Sequence, residues 1–298
     1  MNRTLRFPLC FALVALMVHV ASPPTEAEVG VVIHPSGAVS SYILQIIVDE
    51  PDPVTIAWSP YHVGNADFLV VNGEGFDNGD QEPSMITVPG SNSPIVAWAK
   101  NTPSGFDIAL THFDGTNWGE PQVVAGTPAD ELDPSLVLNP NDGSIHLFYW
   151  VNDGSPRVLH RQAPADLTSW SPPVQVSHSG DIACRPSGVY HDGTLQVVYE
   201  VHALGLGTAP REVVHALQNG QTFSSDIVAT SQHPGDNQPQ IHSASDQLWI
   251  DWIDGENDMA WTRQLAGGAW GPIQTEYFGT LEEREFHVRG VIRIHALE

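Results

Sequence analysis

Four marks in the sequence set a polar or charged residue directly before a proline: Glu82-Pro83, Asp133-Pro134, Arg185-Pro186 and Gln238-Pro239. Their prolines are 51, 52 and 53 residues apart. Trp150, Glu200 and His202 fall between them and Asp254 after the last, each close behind a short apolar run. Carboxylates of this kind can do two things. A pair about 5 to 9 Å apart can act as acid and base on a glycosidic bond. Single carboxylates can accept hydrogen bonds from polyhydroxyl ligands, while an indole stacks on their apolar faces. Arg185 could grip an anion. The candidate acid–base set is therefore Asp133, Glu82 and Glu200. The candidate binding set is Arg185, Trp150, His202, Gln238 and Asp254. An acid before proline is also ordinary turn chemistry, and that plainer reading takes the larger share for any one residue.

The elements that would hold these residues repeat. After each proline mark comes one strand-like segment, a turn, and a second strand with an aromatic in phase. The aromatics are Trp98, Tyr149, Tyr199 and Trp252, and Trp58 marks an earlier copy without its proline. Third strands are expected at Phe68–Val71, Ile108–His112, Arg157–Arg161, Glu212–Ala216 and Met259–Arg263. A turn carrying Trp118, Trp170, Phe223 or Trp270 then leads to a fourth strand. Four short strands per unit of about fifty residues is the pattern of a β-propeller blade. The expected fold is all-β, a β-propeller of four-stranded blades. Five blades are counted, or six if the tail Glu285–Leu297 pairs with the N-terminal strands and closes the ring. A closed ring leaves no exposed edge.

The chain has 298 residues, 26 glycines and 24 prolines, which suits many turns between short strands. Its 35 acidic residues outweigh 11 basic ones, for a net charge of −24. That sign repels phosphate backbones and argues against nucleic-acid binding. Arg3 and Arg6 precede an uncharged apolar run, Leu9 to Ala21, and small residues Thr25 and Ala27 follow. This is the layout of a cleaved signal peptide over residues 1–27, leaving 28–298 as one propeller domain that is secreted or periplasmic. No later run is long enough to span a bilayer. After cleavage Cys184 is the only cysteine, so no internal disulfide can form. It is read as a small buried residue. The histidines show no metal-ligand spacing, so no metal site is assigned to them. Asp77-Asn78-Gly79-Asp80 and Asp254-Gly255-Glu256-Asn257-Asp258 could hold Ca²⁺, although a solvated acidic turn is the favoured reading. No other cofactor is expected, and the chain is read as a monomer.

The turn Asp114-Gly115-Thr116-Asn117-Trp118 resembles the Asp-box, or BNR, motif of sialidase-type propellers, with one residue fewer between Asp and Gly. The resemblance covers roughly residues 50–275 as a repeat and implies a structural hairpin whose aromatic plugs the space between blades. It does not imply sialidase chemistry here. That family clamps its substrate with three arginines, and only Arg185 falls at a first-strand start. Tyr199-Glu200 resembles its Tyr–Glu pair, but Tyr199 occupies the repeated core position. The Asp133-Pro134-Ser135-Leu136 start is similar to that of five-bladed arabinanase-type glycosidases, where the Asp before Pro is a catalytic carboxylate. The resulting expectation is an exported propeller that recognises an extracellular ligand, carbohydrate first. The alternatives are a glycoside hydrolase using the acids above and a non-enzymatic protein-interaction scaffold.

Overall fold

A computed structural model describes residues 26–29, 42–47, 54–58, 69–70, 81–88, 93–114, 119–203, 210–231, 238–244, 247–254, 258–265 and 268–277. Among them there are twenty strands and no helix. The first sheet is β1 (Glu26–Val29), β2 (Tyr42–Ile47), β3 (Val54–Trp58) and β4 (Leu69–Val70). The second is β5 (Gln81–Val88), β6 (Ser93–Thr102), β7 (Gly105–His112) and β8 (Gln122–Ala125). The third is β9 (Asp130–Leu138), β10 (Ile145–Asn152), β11 (Arg157–Ala163) and β12 (Val174–Gln175). The fourth is β13 (Ile182–His191), β14 (Thr194–His202), β15 (Arg211–Asn219) and β16 (Thr222–Ser231). The fifth is β17 (Gln240–Ala244), β18 (Gln247–Asp254), β19 (Asp258–Arg263) and β20 (Gln274–Tyr277). Each is a four-stranded antiparallel meander in chain order.

The expected repeat is present, with one correction. Thr55–Trp58 forms the third strand of its sheet, and Phe68–Val71 overlaps the fourth. That copy has no proline mark to fix its phase, so the sequence reading placed it one strand early. The expected leader lies outside the described residues except Glu26 and Ala27, which belong to β1. The tail Glu285–Leu297 lies wholly outside them, as do the loop at 77–80 and most of the one at 254–258.

β10 and β14 are largely apolar because both of their faces are covered. Every residue of β10 but Asn152 is buried, and every residue of β14 but Thr194. The in-phase aromatics Trp98, Tyr149, Tyr199 and Trp252 are each no more than 3% exposed. Residues alternate between the two faces of a strand. Tyr149 accordingly packs in a cluster shared with the second sheet, and Trp150 in one shared with the fourth. The turn aromatics fill the gaps between sheets, as the repeat implies. Phe223 meets His160 of the third sheet edge-on at 5.4 Å, and Trp270 meets His215 of the fourth at 5.1 Å. Trp170 packs on the cluster between the second and third sheets, while Trp118 lies outside the described residues.

The proline marks are β-bulges. Phe148 pairs with Ser135 and Trp150 with Leu132, so Tyr149 faces two residues, Asp133 and Pro134. Tyr199 faces Arg185 and Pro186 in the same way, and Trp98 faces Glu82 and Pro83. The residue before the proline takes a positive φ: 52° at Asp133, 55° at Arg185 and 40° at Gln238. Such a conformation costs a non-glycine residue about 1 to 2 kcal/mol. Three repeats share it, so it belongs to the fold rather than to one site. Its effect is to re-aim the side chain before the proline.

The serine after the proline joins one sheet to the next. The first strand of a sheet has no ladder partner on its other side, so some of its N–H groups point outward. Ser84 Oγ accepts the N–H of Leu136 at 3.0 Å, Ser135 Oγ that of Gly188 at 3.0 Å, and Ser187 Oγ that of Ile241 at 3.2 Å. Gly188 has no side chain because a Cβ there would sit 2.7 Å from Phe148 and Val137. Replacing Ser135 with Ala should leave the Gly188 N–H unpaired at an inter-sheet contact. The expected loss is about 1 to 3 kcal/mol in chemical denaturation, against a few tenths at the exposed Ser179.

Candidate functional site

The fourth sheet gathers the densest set of polar side chains that sequence reasoning had singled out. Cys184 on β13 pairs across the ladder with Glu200 on β14. His202 lies two residues further along β14, on the same face, and pairs with Arg211 on β15. The bulge at Arg185 swings that side chain back toward them. Arg211 donates to Glu200 Oε1 at 2.9 Å, and Arg185 donates to Oε2 at 3.3 Å. His202 Nε2 lies 3.2 Å from Oε1 and 3.4 Å from Cys184 Sγ. Glu200 is fully buried, and Cys184, His202 and Arg211 nearly so. Burial works against ionisation of Glu200. The His202 bond and the charges of Arg185, His202 and Arg211 outweigh it and hold the carboxyl below its ordinary range. This buried acid is the shared counter-ion of Arg185 and Arg211.

The third sheet repeats the geometry with other chemistry. Asp133 stands where Arg185 stands, and Trp150 where Glu200 stands. The indole Nε1–H donates to Asp133 Oδ2 at 2.7 Å, and Asp133 is 2% exposed. Trp150 is 9% exposed and belongs to a hydrophobic cluster with Val176 and Tyr199. The ring read as a platform for a ligand is buried, because the neighbouring sheet covers this face of β10.

Of the remaining candidates, Gln238 is half-buried just before β17. Glu82 lies in β5 and Asp254 ends β18, with side chains outside the described residues. The structure thus brings Arg185, Glu200 and His202 into one network and Asp133 with Trp150 into another.

Sequence reasoning missed several members. Cys184 and Arg211 reach Glu200 through cross-strand pairing, which no local spacing reveals. His242 Nδ1 lies 3.2 Å from the buried Asp251 Oδ1 on paired strands of the fifth sheet. Apart from these missed groups, Glu131, two residues before Asp133, is nearly fully buried and is held by Thr127 through N–H (3.1 Å) and hydroxyl (2.6 Å) bonds. Burial pushes its carboxyl up, Thr127 opposes this, and the nearby charges of Asp107 and Asp130 add to it.

Among the solved structures similar to this one are three named as carbohydrate-active enzymes. An exo-1,5-alpha-L-arabinanase from a bovine ruminal metagenomic library matches at TM-score 0.51 and 10% identity, covering 84% of this chain and 97% of that one. An endo-1,4-beta-xylanase from Bacteroides thetaiotaomicron matches at TM-score 0.52 and 12% identity, covering 83% and 96%. A Hadza microbial sialidase matches at TM-score 0.52 and 14% identity over 64% of this chain, which spans 45% of that enzyme's length. No family model matches the chain, and no curated protein matches it by sequence. Identities this low speak to the fold alone, and the fold shared with these structures is propeller-like.

Proposed function

We propose that the protein is an exported propeller that binds an extracellular carbohydrate, with Arg185 as the group that meets the ligand. The observation that carries this is an exposure difference within one network. Arg185 keeps 25% of its side chain accessible, while Glu200, His202 and Arg211 are at 0%, 2% and 1%. A guanidinium anchored from behind by a buried carboxylate is oriented in advance, and its outward N–H groups can bind hydroxyl or carboxylate oxygens. The likeness of the fold to carbohydrate-active structures supports the ligand class. Binding without turnover is preferred because Glu200 is enclosed by its partners and Asp133 is committed to Trp150.

The test is a glycan panel titrated against the protein and its Arg185→Ala variant, beside a panel of chromogenic glycosides. Binding by the wild type that weakens at least tenfold in Arg185→Ala is expected, since a bond to a charged group contributes about 1.5 to 3 kcal/mol. Glycoside turnover that disappears in Asp133→Asn would move the protein to the hydrolases. No binding and no turnover would leave the interaction scaffold.

A further inference from the structure

Cys184, Glu200 and His202 present a sulfur, an oxygen and a nitrogen atom that all lie within 4.8 Å of one another, and all three residues are buried. The nitrogen is 3.2 Å from the oxygen and 3.4 Å from the sulfur. A tetrahedral zinc with bonds of about 2.0 Å to nitrogen and oxygen and about 2.3 Å to sulfur has ligand–ligand edges of about 3.3 to 3.5 Å. Two of the three edges, nitrogen to oxygen and nitrogen to sulfur, already stand at that length. Their placement is enforced by the sheet. Cys184 and Glu200 are a cross-strand pair, and His202 follows Glu200 by two residues on the same face.

We infer that Cys184, Glu200 and His202 form a binding site for a thiophilic divalent cation of the zinc type. The ion takes a lone pair from His202 Nε2, one from Glu200 Oε1 and one from the Cys184 thiolate, and the thiol proton is released to solvent. A carboxylate oxygen has lone pairs for both an ion and an arginine donor, so Arg211 can keep its bond to Oε1 and fix the carboxylate's orientation. The two guanidiniums also set the selectivity. Positive charge beside the site penalises every cation, so only one that forms strong bonds to thiolate and imidazole can offset it. Calcium and magnesium, which bind through charge on oxygen ligands, are excluded on this ground.

The experiment is a cobalt(II) titration of the full-length protein followed by absorption, with zinc, calcium and magnesium as competitors. A thiolate-to-cobalt charge-transfer band is expected, displaced by zinc and unaffected by calcium or magnesium. Cys184→Ser, with its fold checked by circular dichroism, should abolish the band, and His202→Gln should weaken binding at least tenfold. Arg185→Ala should tighten binding several-fold, while the same change is expected to weaken glycan binding, so the two readings fail independently. A wild-type protein with no band at saturating cobalt, or a Cys184→Ser variant that keeps it, would overturn the site. So would His202→Gln binding with wild-type affinity, or calcium displacing cobalt.

Discussion

Glu200→Gln should destabilise the protein by about 3 to 5 kcal/mol, the usual cost of removing one partner from a buried ion pair. The side chain keeps its shape but loses its charge. Arg211, 1% exposed, then stays in the interior without this carboxylate. Arg185 is a quarter exposed and can turn part of its charge to water, so Arg185→Ala should cost less than 1 kcal/mol. Urea unfolding of both variants measures the contrast. A second comparison isolates the cause. If desolvated charge is responsible, Glu200→Leu combined with Arg211→Met should recover much of the loss, because a buried pair exchanged for apolar groups of similar volume is often neutral. Equal midpoints for Glu200→Gln and wild type would mean that the network contributes nothing to stability.

Acid should weaken the protein through its buried histidines well before it titrates ordinary carboxylates. His146 Nδ1 lies 2.9 Å from His160 Nε2, and the two rings stack at 5.2 Å beneath Phe148 and Phe223. Burial lowers His146 to about 4 and His160 to about 3, and proximity to His146 lowers His160 further. His215, under Trp270, is lowered by burial to about 4. In the unfolded chain these groups take up protons near pH 6.5. Between about pH 6.5 and 4 the unfolded state therefore holds more protons than the folded one, and stability falls as pH falls. At about 1.4 kcal/mol per pH unit of displacement, His146 alone accounts for a loss on the order of 3 kcal/mol.

Two effects run the other way. Lower pH relieves the self-repulsion of a chain of net charge −24, and the raised carboxyls of Glu131 and Asp107 favour the folded state as they protonate. The decisive quantity is thus the difference between wild type and a protein carrying both His146→Gln and His160→Gln. The wild type should lose more melting temperature between pH 7 and pH 5 than the double variant. Parallel curves would show that the pair is protonated in the folded state.

The repeat itself was legible because its marks are local. A proline every fifty-odd residues and an aromatic at a fixed distance behind it can be read without knowing any contact, and Trp98, Tyr149, Tyr199 and Trp252 all proved to be core. Where the proline was missing, the phase slipped, as Trp58 shows. The site was legible only by position. Arg185 and Glu200 were singled out by their places in the repeat, but their bond depends on a bulge that turns the residue before the proline. Trp150 was read as a stacking surface for a ligand, whereas neighbouring sheets cover both faces of β10. Cys184 lies 18 residues from His202 in the chain, and only the register of β13 against β14 makes them neighbours.

The serine that follows each proline gives the stack of sheets a direction. The acceptor always lies in the earlier sheet and the donated N–H in the later one, one residue beyond the equivalent of the serine. The third and fourth units therefore carry the same plug on one side and the same socket on the other. A unit can be duplicated or excised at equivalent points and its neighbours will still find matching joints, much as bricks of one mould can be added to a wall. A gene that lengthens or shortens by whole repeats needs no new interface chemistry, only an intact Pro-Ser pair at each seam. Gln240 occupies the serine's place in the fifth sheet and instead accepts the hydroxyl of Ser187 at 3.2 Å. The joint before the fifth sheet keeps the common form through Ser187 and Ile241, but the fifth sheet's own plug position is recut, so a unit copied from it would couple less readily than one copied from the third sheet.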